Sequence, residues 1–308
     1  MSRKRRVGVL FAFIAAVLWG VLAVALKMAA SFLPGTDIVW LRMTLSFLSL
    51  FFYYLFFRPQ GLAILKKPPL LLLLAGVFLG INYIGYMEGV HYTTPANAQI
   101  FIQSGPLLLA VSGVLFFREK LLRRQVLGFF LAIAGFGLYY YDQALFAERQ
   151  TYARGIVYVL VAGLAWAIYA SLQKKVVISV PAQQSNMVIF LCSAFMFLPF
   201  FHPGLYAKLS LFQWGIIVFT YLNTLFSYGS IALALKYLEA NKVSSIIILN
   251  PLLTFVCMEL LYVFSIPWVK PENFTWVSIA GGLMVLGGAL LVLLVNPEKT
   301  KATLPEKQ

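Results

Sequence analysis

Four ionisable residues lie inside or at the edge of long apolar stretches: Lys27, Arg42, Glu88 and Glu259. A charge near the centre of a bilayer costs about 2.5–3.5 kcal/mol on insertion scales, so each needs a partner, a route to the interface or a task. A carboxylate held in such a place is pushed toward neutrality and can take up and release a proton. Glu88 and Glu259 are therefore candidates for proton coupling. Lys27, Arg42 and Glu88 are near enough to the ends of their stretches to snorkel. Glu259 is about two-thirds along its stretch, too deep for that. Uncharged polar residues gather in two further places: Asn97, Gln99 and Gln103 precede Pro106, and Ser244, Ser245 and Asn250 precede Pro251. Gln99 and Gln103 share one face of a helix. Each proline frees the carbonyl four residues earlier, that of Ile102 or Ile247, and a freed carbonyl in hydrocarbon must face protein or water. Pro106 and Pro251 thus predict helix kinks beside a cavity. Trp19, Tyr83, Tyr86, Trp166, Tyr169 and Tyr228 also lie deep in apolar sequence, where their polar atoms need partners. Together with Asn97, Gln99, Gln103 and Asn250 they are the candidate cavity lining, able to stack on an aromatic or cationic guest.

The elements that must hold these residues follow from composition. The chain has 308 residues, 61% of them hydrophobic and 11% charged, against about 25% charged in ordinary soluble domains. Its mean hydropathy is +0.87. So much apolar surface requires a bilayer as solvent. The apolar runs are continuous rather than alternating, which selects helices over a barrel. Ten spans of roughly membrane length are expected at 7–29, 38–57, 70–90, 96–117, 124–141, 154–173, 184–201, 211–235, 243–264 and 274–295. Pro/Gly-rich or charged breaks such as LPGTD and HPGLYAK separate them. The RKRR start resembles a signal peptide, but the apolar run continues to Leu26, which favours an uncleaved first span. With ten spans both termini share a face. That face and its loops hold eighteen lysines and arginines, against four on the other. The bias makes it the cytoplasmic side.

Other functions are disfavoured. The formal net charge of +14 is spread over short loops, with no basic stretch long enough to track a nucleic-acid backbone. Cys192 and Cys257 fall within spans without CxxC or Cys/His neighbours, so no metal or other cofactor is expected. No GxxxxGK[ST] stretch exists for an ATP-driven pump. His91 and His202 form no HExxH and no triad, which argues against a membrane-embedded enzyme. A receptor remains a minor alternative.

The chain also repeats itself. At an offset of 147, Gly8, Trp19, Lys27 and Pro34 meet Gly155, Trp166, Lys174 and Pro181; at 145, Tyr83, Tyr92 and Pro106 meet Tyr228, Tyr237 and Pro251. At 153, Gly128 and Gly135 meet Gly281 and Gly288. The expected organisation is a five-helix repeat at 1–148, a second at 149–297, and a disordered cytoplasmic tail at 298–308. Five is odd, so the second copy enters the bilayer inverted. Inverted repeats are a known construction of secondary transporters.

On these residues a resemblance appears. LWG…K in the first span, YTTPANAQIFIQSGPLLLAVSGVLFFREK after it, and ALKYLEANKVSSIIILNPLLTFVCMELL in the second half resemble the EamA-type members of the drug/metabolite transporter superfamily. The resemblance implies a ten-helix carrier with a central cavity that exports or exchanges amino acids and other small metabolites by secondary transport. A multi-pass protein of a bacterial inner membrane with a small-molecule substrate is expected, as a monomer, with protons a candidate coupling ion through Glu88 or Glu259. One departure is that Glu119 has Phe264 as its counterpart. The nearest rival is a small multidrug-type proton/drug antiporter, which places an essential glutamate in its first span; the first span here has no acidic residue. Cysteine-accessibility labelling should find residue 145 on the face opposite the start of the chain. Labelling of both from one side would remove the inverted repeat.

Overall fold

In the computed structural model the described residues are 3–117, 123–176, 179–238, 243, 246–264 and 274–294. Glu119, Ser244, Ser245 and the tail at 298–308 lie outside them. The described residues form helices and turns, with no strand among them. In chain order they are α1 (Arg3–Ala29), α2 (Gly35–Phe57), α3 (Leu70–Tyr92), α4 (Pro95–Phe101), α5 (Ser104–Phe117), α6 (Arg123–Gln143), α7 (Arg149–Val176), α8 (Ala182–Phe197), α9 (Pro203–Tyr206), α10 (Leu211–Tyr237), α11 (Asn250–Val263) and α12 (Trp276–Leu294). Among the described residues six helices are long and apolar enough to cross a membrane: Lys4–Ala29, Gly35–Phe57, Leu70–Tyr92, Arg149–Val176, Ala182–Phe200 and Leu211–Tyr237. Asn250–Val263 and Trp276–Val292 are shorter apolar helices. Large apolar side chains such as Leu127, Phe130, Ile133, Val157 and Phe195 are exposed on the outside, as a lipid-facing surface requires.

The span expected at 96–117 is two helices, not one. α4 ends at Phe101, and α5 begins at Ser104 after a turn at Ile102–Gln103. A similar turn at Ile248–Leu249 precedes α11. Without the proline N–H the backbone tightens into bonds three residues apart. The Gly105 N–H donates to Ile102 O at 2.9 Å, and the Gln103 N–H to Ile100 O at 3.2 Å.

Helix packing follows the glycines. α3 lies along α7, α1 along α10, α6 along α12 and α2 along α8. A Cβ on Gly128 would meet Gly288 O at 2.6 Å, and one on Gly135 would meet Gly281 O at 2.7 Å. Only glycine permits that approach of two backbones. The contact near Gly8 is with Tyr237 and Leu238, and the contact near Gly155 is with Tyr92 and Thr93. Residues matched by register along the chain therefore make matched contacts.

Polar ties fasten one end of the bundle, where α1 ends and α2 begins. The Lys27 ammonium donates to Val90 O (2.7 Å), His91 O (3.1 Å) and Thr93 O (2.8 Å). It caps the C-terminal carbonyls of α3, where the helix dipole favours a cation. Buried Asp37, in the first turn of α2, accepts from the His202 N–H and Nδ1, each at 3.0 Å, and from the Tyr206 hydroxyl at 2.6 Å. Burial and that carboxylate hold the Tyr206 phenol well above its ordinary range, so it remains a donor.

Three stability predictions follow from this packing. Gly135→Ala should destabilise the protein by about 1–3 kcal/mol, because the methyl meets backbone that cannot step aside. Gly137→Ala, where nothing lies within 4 Å, should change stability by no more than about 0.5 kcal/mol. Lys27→Met should cost about 1.5–3 kcal/mol through the loss of charge-assisted hydrogen bonds. Thermal melting in detergent reads all three; equal melting of the two glycine variants would contradict the packing.

Candidate functional site

The broken α4–α5 segment, the start of α11, and helices α1, α2, α3, α7 and α10 enclose a cavity. Its lining includes Trp19, Arg42, Asn82, Tyr83, Tyr86, Gln99, Gln103, Pro106, Trp166, Tyr228 and Asn250, with Leu22, Leu26, Ile102 and Ile247 as the apolar remainder. Trp19 and Trp166, the matched pair of the sequence repeat, meet edge to face with ring centroids 6.4 Å apart. Tyr228 is the hub of the aromatic group. Its ring lies 5.3 Å from Trp19, 5.8 Å from Tyr83, 5.8 Å from Tyr169 and 6.2 Å from Phe190. Edge-to-face contacts of this kind fix ring orientation as well as burying area.

Hydrogen bonds to the α1 backbone position this wall. Asn223 Nδ2 donates to Leu18 O at 2.6 Å, Gln99 Nε2 to Trp19 O at 3.2 Å, and Thr254 Oγ1 to Gly20 O at 2.6 Å. The Asn250 amide, oriented by its hydrogen bonds, donates to Ala16 O and to Ile247 O, each at 2.9 Å. Ile247 O is the carbonyl that Pro251 leaves free, so the asparagine beside the proline satisfies the acceptor that the proline creates. Across the cavity Asn82 Nδ2 donates to Ala162 O at 2.9 Å, joining α3 to α7. Gln103 donates from Nε2 to Gln99 O at 3.3 Å, while its Oε1 and the Tyr86 hydroxyl have no protein partner.

Arg42 is the cavity's cation. The residue is 3% exposed. Its Nε donates to Thr224 Oγ1 at 3.0 Å, and Cζ sits 4.4 Å from the centroid of the Tyr83 ring. The cation–π contact and the threonine together orient the guanidinium. Among the described residues the one ion pair is His202–Asp37, so Arg42 has no carboxylate partner there. Burial also closes the snorkelling route considered for it.

Several expected site residues lie elsewhere. Asn97 belongs to a packing network: the Tyr152 hydroxyl donates to its Oδ1 at 2.9 Å, and its Nδ2 donates to Thr94 Oγ1 at 2.8 Å. Tyr169 packs behind Tyr228, with its hydroxyl bonded to Gln173 Oε1 at 2.6 Å. Lys27 is held on the α3 carbonyls. Glu88 and His91 line an outer crevice with Ser31, Pro34, Gly35 and Met87. Pro251 is buried in the first turn of α11 without joining the lining. Glu259 is corrected. Depth along the chain suggested a buried group, but the buried stripe of α11 is Asn250, Pro251, Thr254 and Met258. Glu259 falls off that stripe and is exposed, outside the cavity and without an ion pair among the described residues.

Sequence reasoning missed Asn82 and Thr224. Asn82 was visible as a lone amide beside Tyr83. Nothing in the chain announces Thr224 as the acceptor for Arg42, because they are 182 positions apart.

Comparison with known proteins adds identity to this geometry. The profile of the EamA-like transporter family matches residues 6–141 and again 153–294. An uncharacterized transporter of Haemophilus influenzae Rd is 30% identical over 94% of this chain and 96% of its own length. The uncharacterized inner membrane transporter YhbE of Escherichia coli K12 is 28% identical over 94% of this chain and 92% of its own. The pseudopaline exporter CntI of Pseudomonas aeruginosa UCBPP-PA14 is 22% identical over 93% of each chain. A solved crystal structure, at 18% identity, aligns with a TM-score of 0.67 over 93% of this chain and 96% of that one, which shows a shared fold. With outward-facing apolar helices and the family profile matched along nearly its whole length, the chain is a multi-pass integral membrane protein of the EamA-like transporter family.

Proposed function

We propose that the protein is a secondary-active carrier of a bacterial inner membrane that exports or exchanges small metabolites, amino acids or related amphipathic compounds, by alternating access around the central cavity. In this reading the chain has ten spans in two inverted five-helix copies, with both termini in the cytoplasm. The observation that carries it is the composition of the cavity wall. Trp19 and Trp166, from corresponding helices of the two halves, touch each other, and the helix is interrupted at corresponding places before Pro106 and Pro251. Two similar halves of opposite orientation exchange roles, so one packing serves an inward-open state and its counterpart serves an outward-open one. The matched contacts of Gly8 and Gly155, and of Gly128 and Gly135 with their partners, support the duplication. The resemblance to YhbE, an inner membrane transporter, and to CntI, an exporter, supports location and direction.

The interrupted helices have a direct use. A backbone that is already broken and satisfied by side chains changes shape at lower cost than a continuous helix, because no ladder bond in hydrocarbon need be surrendered. The aromatic wall excludes water around the solute. A proton/drug antiporter of the small multidrug type is less well supported: no carboxylate lines the cavity among its described residues.

Counterflow in liposomes tests the reading with a panel of labelled amino acids and hydroxy acids. The expected result is accumulation of label driven by unlabelled solute inside, with no chemical conversion. Tyr228→Ala, which removes the hub of the aromatic wall, should lower exchange about tenfold or more, a loss of roughly 1.4 kcal/mol. Conversion of the solute without exchange would sink the carrier reading.

A further inference from the structure

We infer that Arg42 is the anion anchor of the cavity and that the carried solute is a small monocarboxylate with an apolar or aromatic body. This rests on the carrier reading above and narrows it to a substrate class.

The physical problem is the charge. A guanidinium removed from water needs a counter-charge or several acceptors, and an unpaired buried ion costs several kcal/mol. Among the described residues Arg42 has one acceptor, Thr224 Oγ1, and one aromatic face, Tyr83. The titratable groups around it are three phenols, Tyr83 and Tyr86 of α3 and Tyr228 of α10, all neutral at physiological pH. The guanidinium carries five N–H donors in a flat fork, and Nε is occupied by the threonine. The two terminal nitrogens remain for an acceptor that the described protein does not supply. A carboxylate fits that fork through two parallel hydrogen bonds. Charge matching selects a single carboxylate: one negative charge answers the guanidinium, whereas a phosphate dianion would bring an excess negative charge among apolar walls.

The rest of the lining reads the body of the solute. Trp19, Trp166 and Tyr228 present ring faces and edges, and Leu22, Leu26 and Ile247 present apolar surface. Gln103 is 1% exposed, and its Oε1 has no partner. It is a buried acceptor in the same cavity, suited to an ammonium, hydroxyl or amide N–H on the solute. An unpaired donor fork and an unpaired acceptor beside an aromatic wall describe an amphipathic acid carrying one hydrogen-bond donor.

The test uses the full-length protein and probes that differ only in their polar ends: phenylalanine, 3-phenylpropanoate, phenylalaninamide and phenethylamine. Binding is measured by ligand-induced thermal shift and uptake by counterflow. Both acids should bind about 10- to 100-fold more tightly than the amide and the amine, the range expected for hydrogen bonds to a charged group. Arg42→Gln should erase that preference, and its ligand-free melting temperature should hold or rise, because an uncompensated charge has been removed. Arg42→Lys, which keeps the charge without the fork, should retain part of the preference. Equal binding of acid and amide by the unaltered protein would overturn the proposal, as would binding of none of the acids. An acid preference that survives Arg42→Gln would do the same, as would a lower melting temperature with the preference intact. Counterflow of the amide or the amine would still report a carrier in any of these cases, so failure of the anchor is distinct from failure of the carrier.

Discussion

Hydrocarbon offers no hydrogen bonds, so every polar group that this chain carries into the bilayer must be answered from within the protein. That constraint organises the structure. It places the Lys27 ammonium on the last carbonyls of α3 and the hydroxyl of Ser193 on Gly76 O. It also turns α1 into an axis. The consecutive carbonyls of Leu18, Trp19 and Gly20 receive side chains from α10, α4 and α11, and Ala16 O receives the amide of Asn250. Each of these bonds fixes the azimuth of α1, and so holds the Trp19 ring at the cavity.

The same constraint explains how broken helices survive at depth. At Ile102–Gln103 the backbone satisfies itself through tighter turns. At Ile248–Leu249 a side chain from the next residue, Asn250, takes the carbonyl that Pro251 orphans. Both breaks adjoin residues that line the cavity, Ile102 and Gln103 at the first and Ile247 and Asn250 at the second. Small residues do the opposite work elsewhere. Along α6 and α12 the glycines remove side chains, so that two backbones pack directly against each other.

Much of the cavity was legible in the sequence. Deep tryptophans and tyrosines, amides spaced by four, and prolines preceded by polar residues identified Trp19, Tyr83, Tyr86, Gln99, Gln103, Trp166, Tyr228 and Asn250, all of which line it. Their types are costly in lipid, so their presence at depth was informative. Asn97 and Tyr169 were drawn from the same signal and proved to be packing partners. A polar atom in an apolar span records that a partner exists but not whether that partner is protein or guest. Glu259 lies outside the cavity for another reason. Depth can be counted along the chain, but azimuth depends on which stripe of α11 the neighbouring helices cover.

The sequence by itself determined the solvent, the helical class and the short list of residues that cannot face lipid, because those follow from local chemistry and spacing. Tertiary structure alone decided which of those residues share one cavity. It brought Arg42 to Thr224 and Tyr83 and left its fork without a carboxylate among the described residues, and it turned Glu259 outward. Transfer free energy is a property of each side chain and can be read one residue at a time. Partnership is a property of packed helices whose members are distant in the chain, and only their rotation about their own axes settles it.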